Sequence, residues 1–227
     1  MSTFALIPGA GGAAWYWSRV VPLLRAAGHR VVAVDLPAAD PAAGLVEYAD
    51  AVCAAVADVT EPLVVVGQSM GAYTAPMVAA RVPTRALVLV NPMVPAPGES
   101  AGEWWAATGQ AAARAAHLER IGLGRTNFDE IEDFFHDVPA AVRAEALALG
   151  EPDQADTPFG QPWPLRAWPD VPTAVIVGSD DRLFPLGFQR RVVRDRLGLD
   201  VEVMPGGHLM ALSRPRELAR LLLAHGT

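Results

Sequence analysis

Residues 64–73 read VVVGQSMGAY and set Ser69 between two glycines, directly behind a run of valines. A serine oxygen attacks a carbonyl carbon once a base takes its proton, so a serine displayed in this way points to acyl-transfer chemistry. In Gly67-Gln68-Ser69-Met70-Gly71 the serine falls at an expected strand-to-helix junction. The sharp turn there strains the serine backbone, and the glycines leave space that side chains would block. The helix behind it aims its first N–H groups, and a partial positive charge, at the same spot, which favours an oxyanion. An ordinary glycine turn carrying a chance serine is the competing reading. The strand before it and the helix after it decide for the nucleophile.

A hydroxyl needs a base, and the base needs an orienting acid. Of the five histidines, His29 precedes an expected strand, His117 and His136 lie in polar helical stretches, and His225 is close to the C-terminus. His208 lies in MPGGHLMALSRP, behind the last expected strand, where Gly206 and Gly207 give the loop freedom to return the imidazole to the sheet edge. It is the candidate base. The acid should follow an earlier strand, and GSDDRLFP offers Asp180 and Asp181. One carboxylate orients the imidazole while its neighbour caps the turn. Asp181 is preferred and Asp180 is the alternative. The chain order Ser69, Asp181, His208 suits a nucleophile elbow on an open α/β sheet. The Met70 N–H, just after the nucleophile, supplies one oxyanion donor. The glycine-rich PGAGGAAW at 8–15 supplies the second, assigned to the Ala10 N–H. A phosphate-binding reading of that cluster lacks the Lys-Ser/Thr ending of a P-loop and misses the G-x-G-x-x-G spacing.

The elements that must position these groups alternate along the chain. FALIP (4–8), RVVAVD (30–35), LVVVG (63–67), ALVLV (86–90), TAVIVG (173–178) and VEVMP (201–205) are apolar runs with little alternation. Such runs fit strands covered on both faces. Residues 14–27, 44–59, 70–82, 186–197 and 214–225 carry helical spacing. The pattern predicts a mostly parallel, doubly wound sheet of about six strands. Residues 62–80 are uncharged and long enough to span a membrane, but Gly67, Gln68, Ser69, Gly71 and Pro76 break them into strand, turn and helix. The alternation fails over 95–169, where helical stretches (EWWAATGQAAARAAHLERIG, FDEIEDFFHDV, PAAVRAEALALG) end in the proline-rich TPFGQPWPLRAWPDVP. This predicts a core of 1–94 and 170–227 with a helical cap inserted at 95–169.

Composition narrows the function. Of 227 residues, 52% are hydrophobic and 19% charged, enough for a packed core. A net charge of −7 argues against nucleic acid and anionic membrane as partners. One cysteine, Cys53, excludes an internal disulfide, and MSTFALIPGAGG lacks the pattern of a secretory signal, so a cytoplasmic setting is expected. A homodimer is an arrangement the composition permits.

LIPGAGGAAWYW, VVAVDLP, VGQSMG, DDRLFPLGFQRR and GGHLMALSRP together resemble the α/β-hydrolase superfamily, and more narrowly its small plant-type methylesterase and hydroxynitrile lyase branch with bacterial relatives. The resemblance implies the α/β-hydrolase fold, a cap over the site and the Ser-His-Asp triad. It favours Asp181 over Asp180, because the family's acid stands a few residues before a proline, as Asp181 does before Pro185. Some positions depart from the family. Pro8-Gly9 replaces the usual His-Gly, and Gln68 stands where histidine is common. Gly9 and Leu209 replace the threonine and lysine of the lyases, which points to ester hydrolysis. Ser69 argues against dehalogenases and epoxide hydrolases, which use aspartate, and Asp35 is expected to organise its turn.

The expected activity is therefore a serine carboxylesterase for a small to medium apolar ester, with no metal or organic cofactor. A ligand-binding protein on the same scaffold, or a thioester or carbon–carbon bond hydrolase with the same triad, are the alternatives. Trp104, Trp105, Phe134, Phe135, Trp163 and Trp168 are expected mostly to pack the cap onto the sheet, with Trp104 and Trp105 about 100° apart on a helix. No carboxylate or phosphate clamp stands out, with Arg125, Arg143 and Arg166 the basic residues to watch.

Overall fold

Valine- and leucine-rich runs need cover on both faces, and the computed structural model, which describes residues 1–150 and 152–226, provides it. Six strands form one sheet: β1 (Thr3–Ile7), β2 (Arg30–Ala33), β3 (Leu63–Gln68), β4 (Thr84–Val90), β5 (Thr173–Gly178) and β6 (Glu202–Met204). Their order is β2-β1-β3-β4-β5-β6, and every pairing is parallel. Side-chain alternation splits each strand between two cores. Phe4, Leu6, Val64, Val66, Val88 and Ile176 enter one layer; Ala5, Ile7, Val65, Leu87, Leu89 and Val175 enter the other.

Helices close both layers. α1 (Val21–Ala26) lies on the Phe4 side, whereas α2 (Leu45–Ala55) and α3 (Gly71–Ala79) lie on the Ala5 side. The helix expected over 14–27 is two pieces, a 3-10 turn at Ala14–Trp17 and then α1. Pro22 explains the break. It has no N–H to give, and inside a longer helix its ring would meet the carbonyl four residues back, so it sits in the first turn of a new one.

Between β4 and β5 lie α4 (Ala101–Thr108), α5 (Gln110–Arg120), α6 (Glu130–Phe134), α7 (Ala140–Ala148) and α8 (Thr157–Gly160). The single helical stretch expected around 103–122 is broken at Gly109, which adopts φ 67° and ends α4. A reciprocal cap starts α4: Ser100 Oγ accepts from the Glu103 N–H at 3.2 Å, and Glu103 Oε2 accepts from the Ser100 N–H at 2.9 Å. The short α8 falls in the proline-rich return, where no helix was expected. α9 (Leu186–Leu197), α10 (Met210–Ser213) and α11 (Pro215–Ala224) complete the chain. Among the described residues no helix is long and apolar enough to cross a membrane. The aromatic residues of 95–169 divide. Trp104 and Trp163 are fully buried in the sheet-side core, and their indole N–H groups donate to Val94 O and Tyr73 O, each at 2.9 Å.

A charged knot holds α6 against α5. Asp133 is buried and accepts from Arg114 Nη2 at 2.7 Å, from Arg125 Nη2 at 2.8 Å and from the Asp129 N–H at 2.8 Å. Burial pushes its pKa up, but the bonds from Arg125, the Asp129 amide and Arg114 outweigh this and hold its carboxyl below the ordinary aspartate range. A depressed folded-state pKa contributes stability that is present above the unfolded value and lost as pH falls through the folded one. Asp133→Ala should therefore destabilise the protein by about 3 kcal/mol at neutral pH, leaving Arg114 buried without its counter-ion. In urea titrations the gap between wild type and variant should shrink as pH falls below 3.8, the ordinary aspartate value; a gap that stays constant would contradict the charged role.

Candidate active site

The topology reverses direction at β1, since β2 lies on one side of it and β3 on the other. Ligands of open parallel sheets bind outside the strand carboxyl ends at such a switch point. The turn after β1 and the elbow after β3 meet there. Ser69 takes φ 51°, a left-handed conformation costly for a residue with a Cβ. Its backbone is held on three sides. The Ser69 N–H donates to Val90 O at 3.0 Å, and Ser69 O accepts from the Met93 N–H at 3.0 Å and the Ala72 N–H at 3.1 Å. The elbow is tight enough to require its glycines: a Cβ on Gly67 would lie 2.7 Å from Gly71 O, and one on Gly71 would lie 2.6 Å from Pro8 O.

The fold brings Ser69, Asp181 and His208 together from separate strand ends. His208 Nε2 is 3.1 Å from Ser69 Oγ, and His208 Nδ1 is 2.8 Å from Asp181 Oδ2. Donation of the Nδ1 proton to the carboxylate leaves Nε2 a lone pair facing the hydroxyl. Asp181 is fully buried, and its second oxygen accepts the Leu183 and Phe184 N–H groups, each at 2.8 Å. Asp180 faces elsewhere. Its Oδ2 accepts from the Gly206 N–H at 3.1 Å and from Ser179 Oγ at 3.0 Å, tying the end of β5 to the loop after β6.

The β1 turn folds over the same point. Gly11 and Gly12 take φ 82° and 63°, and Asp35 Oδ1 accepts the Ala14 N–H at 2.7 Å, the organising role expected of it. Ala10 lines the same cavity as Ser69 and His208. Met70 turns its side chain into the core while its backbone leads into α3. Among the described residues neither the Ala10 nor the Met70 N–H has a protein acceptor. No three His, Cys, Asp or Glu side chains among the described residues are grouped to hold a metal ion.

The cavity over Ser69 has a volume of about 370 Å³ and walls that are mostly apolar, including Trp15, Phe134, Phe135, Leu147 and Leu149. Phe134 and Phe135 are the two of the six singled-out aromatic residues that face it. Tyr16 lines it as well, and burial holds its phenol pKa above the ordinary value, so it stays a neutral hydroxyl. None of Arg125, Arg143 and Arg166 lines it, and among the described residues Glu130 is the acidic side chain of the wall.

Sequence reasoning missed Asn91. This buried residue after β4 takes φ 42°; its amide nitrogen donates to Gly207 O and His208 O, each at 3.0 Å, and its Oδ1 accepts the Gly178 N–H at 2.8 Å. The single available signal was an asparagine directly behind a strand, the residue type that tolerates a left-handed turn. Gln68 was noted as a departure but not as a neighbour of the imidazole, which its Nε2 approaches to 3.3 Å at His208 Nε2.

A parallel sheet with a strained serine elbow at its switch point, facing a histidine on the last strand's loop, defines the α/β-hydrolase architecture. The chain belongs to the alpha/beta hydrolase family, whose model matches residues 4–221. It is 29% identical to esterase PIR7B of Oryza sativa subsp. japonica, covering 97% of this chain and 94% of that protein. It is 25% identical to polyneuridine aldehyde esterase of Rauvolfia serpentina, covering 97% and 94%. The crystal structure of a pyrethroid hydrolase from Sphingobium faniae JZ-2 has the same fold, with a TM-score of 0.76 at 23% identity, covering 99% of this chain and 97% of that one.

Asn91→Ala would leave two carbonyls and an amide N–H of the β5 and His208 loops without partners. It should lower stability by about 2–3 kcal/mol in a chemical-denaturation experiment, the scale of unsatisfied buried groups. An unchanged midpoint would show that these bonds do not hold the loop.

Proposed function

We propose that the protein is a carboxylesterase, with Ser69 as nucleophile, His208 as general base and acid, and Asp181 orienting the imidazole. The observation that carries the reading is the imidazole bridging hydroxyl and carboxylate, at 3.1 and 2.8 Å. That two similar proteins are named esterases supports an ester as substrate. Ser69 Oγ attacks the ester carbonyl carbon as His208 Nε2 takes its proton. The carbonyl oxygen, now negative, accepts from the Ala10 and Met70 N–H groups, both left without protein acceptors among the described residues. The tetrahedral adduct collapses, His208 gives its proton to the leaving alcohol, and an acyl-serine remains. Water then repeats the attack with the same base, releasing the acid and restoring the hydroxyl. Asp181 stays ionised and stabilises the transient imidazolium.

Residues 95–169 act as a helical cap over a core formed by 1–94 and 170–227; the cavity walls at Phe134 and Leu147 support this division. The apolar walls and a volume of about 370 Å³ suit a small to medium uncharged ester. The single cysteine, Cys53, fits a reducing compartment, and we place the enzyme in the cytoplasm.

Ser69→Ala should abolish turnover of a short p-nitrophenyl ester and labelling by a fluorophosphonate, with an unchanged melting temperature; retained turnover refutes the nucleophile. Asp181→Asn should lower kcat on the order of 10³- to 10⁴-fold, as loss of the orienting carboxylate does in serine proteases, while Asp180→Asn stays within about tenfold. The opposite ranking would transfer the acid role to Asp180.

A further inference from the structure

The imidazole of His208 is seated from above as well as from below. Phe134 of α6 stacks on it, with ring centroids 5.2 Å apart and planes 24° from parallel, while Phe184 meets it edge-on at 5.0 Å. Three residues further along, Asp137 Oδ2 accepts the Gly207 N–H at 2.8 Å. Its other oxygen, Oδ1, is buried with no partner among the described residues. The contact is close: a Cβ on Gly207 would lie 2.6 Å from Asp137 Oδ1 and 2.6 Å from His136 Cε1. The same segment also grips the loop that carries Asp181, because Arg182 Nη1 donates to Glu132 O at 3.0 Å and to Glu132 Oε2 at 2.7 Å. The Asp133 knot described above ties α6 to Arg114 of α5 and to Arg125 behind these contacts.

We propose that residues 132–137 are part of the base's seat, and that Phe134 and Asp137 are positioning residues for the hydrolysis, acting through His208. This rests on the triad reading above. Asn91 fixes the Gly207 and His208 carbonyls from the sheet side, and Asp137 fixes the Gly207 N–H just ahead of them from the helical side. Opposed anchors of this kind leave the loop one position. Phe134 then fixes the plane of the ring, which decides whether Nε2 points at Ser69 Oγ. A misplacement of 1 Å at such a contact costs up to about 100-fold in rate. Phe134 also faces the cavity. A wall residue alone would alter KM according to substrate size, whereas a seat for the base alters the chemical step for every substrate.

The test compares Phe134→Leu with Phe134→Tyr and Asp137→Ala with Asp137→Asn, since tyrosine keeps the stacking ring and asparagine keeps an acceptor oxygen. Each is assayed on p-nitrophenyl acetate and p-nitrophenyl hexanoate, together with the rate of Ser69 labelling by a small fluorophosphonate. The expected result is a fall in kcat of about tenfold or more for Phe134→Leu and Asp137→Ala on both esters. KM should stay within about twofold and labelling should slow in parallel, with recovery to within about threefold in Phe134→Tyr and Asp137→Asn. An unchanged kcat and labelling rate, or a loss confined to KM and growing with acyl length, overturns the proposal. Thermal unfolding is recorded for each variant; if Asp137→Ala does not fold, the Phe134 pair decides. Wild-type protein that resists labelling at Ser69, or Ser69→Ala that still turns over, overturns the triad reading itself and is told apart from these outcomes by the residue it concerns.

Discussion

A serine with φ 51° is the constraint around which this end of the sheet is built. Left-handed backbone at a residue with a Cβ costs on the order of 1–3 kcal/mol, and it persists only where its surroundings leave no alternative. Those surroundings are the carbonyl of Val90, the amides of Ala72 and Met93, and glycines at 67 and 71 that let β3, α3 and the β1 turn approach within van der Waals distance. The second non-glycine residue with positive φ, Asn91, stands at the end of the adjacent strand β4, one residue beyond the carbonyl that holds Ser69. The two strains have different products. At residue 69 the turn lifts a hydroxyl out of the sheet; at residue 91 it turns an amide towards the loop that carries the imidazole.

Charge is accommodated by the same local rule. A fully buried carboxylate is costly unless its lone pairs are used. Asp181 meets that condition with two backbone N–H groups on one oxygen and the imidazole on the other. Asp180, its neighbour, uses one oxygen to join the loops behind β5 and β6. Successive side chains at a strand end point in different directions, so adjacent acids on one loop are separated by backbone geometry, not by chemistry.

The strands were legible because each is a short apolar run buried on both faces, a pattern that survives without tertiary information. Their edges moved by two residues at most, and those of β5 not at all; β4, for instance, begins at Thr84 and not at Ala86. The closeness of Ser69, Asp181 and His208 was legible for a related reason: each lies just past a strand in a parallel sheet, and such positions share one edge. The helix breaks at Ser18–Val20 and Gly109 were harder. Both lie in alanine- and tryptophan-containing stretches whose periodicity continues across the break, so a proline or glycine had to be weighed against the pattern. Asn91, Phe134 and Asp137 were not legible as neighbours of the His208 loop. Phe134 reaches the ring, and Asn91 and Asp137 the backbone beside it, across 70 or more residues of chain, through a packing arrangement that no local spacing encodes.

The segment between β4 and β5 has more to do than cover a cavity. Its buried tryptophans anchor it to the sheet, Trp163 through Tyr73 of α3 and Trp104 against Phe184 and Phe188. α6 is held by a buried aspartate between two arginines. Those anchors lie away from the cavity, so the residues facing it are free to vary in shape without loosening the segment. The exception is the stretch from 132 to 137, where one turn and the chain that follows touch the Asp181 loop, the His208 ring and the Gly207 amide beside it. Substitution at Leu147 or Leu149 changes only the shape of the wall, whereas substitution at Phe134 alters the wall and the ring stacked on the imidazole together. Under the proposed mechanism, substrate range is therefore more freely tuned from α7 than from α6.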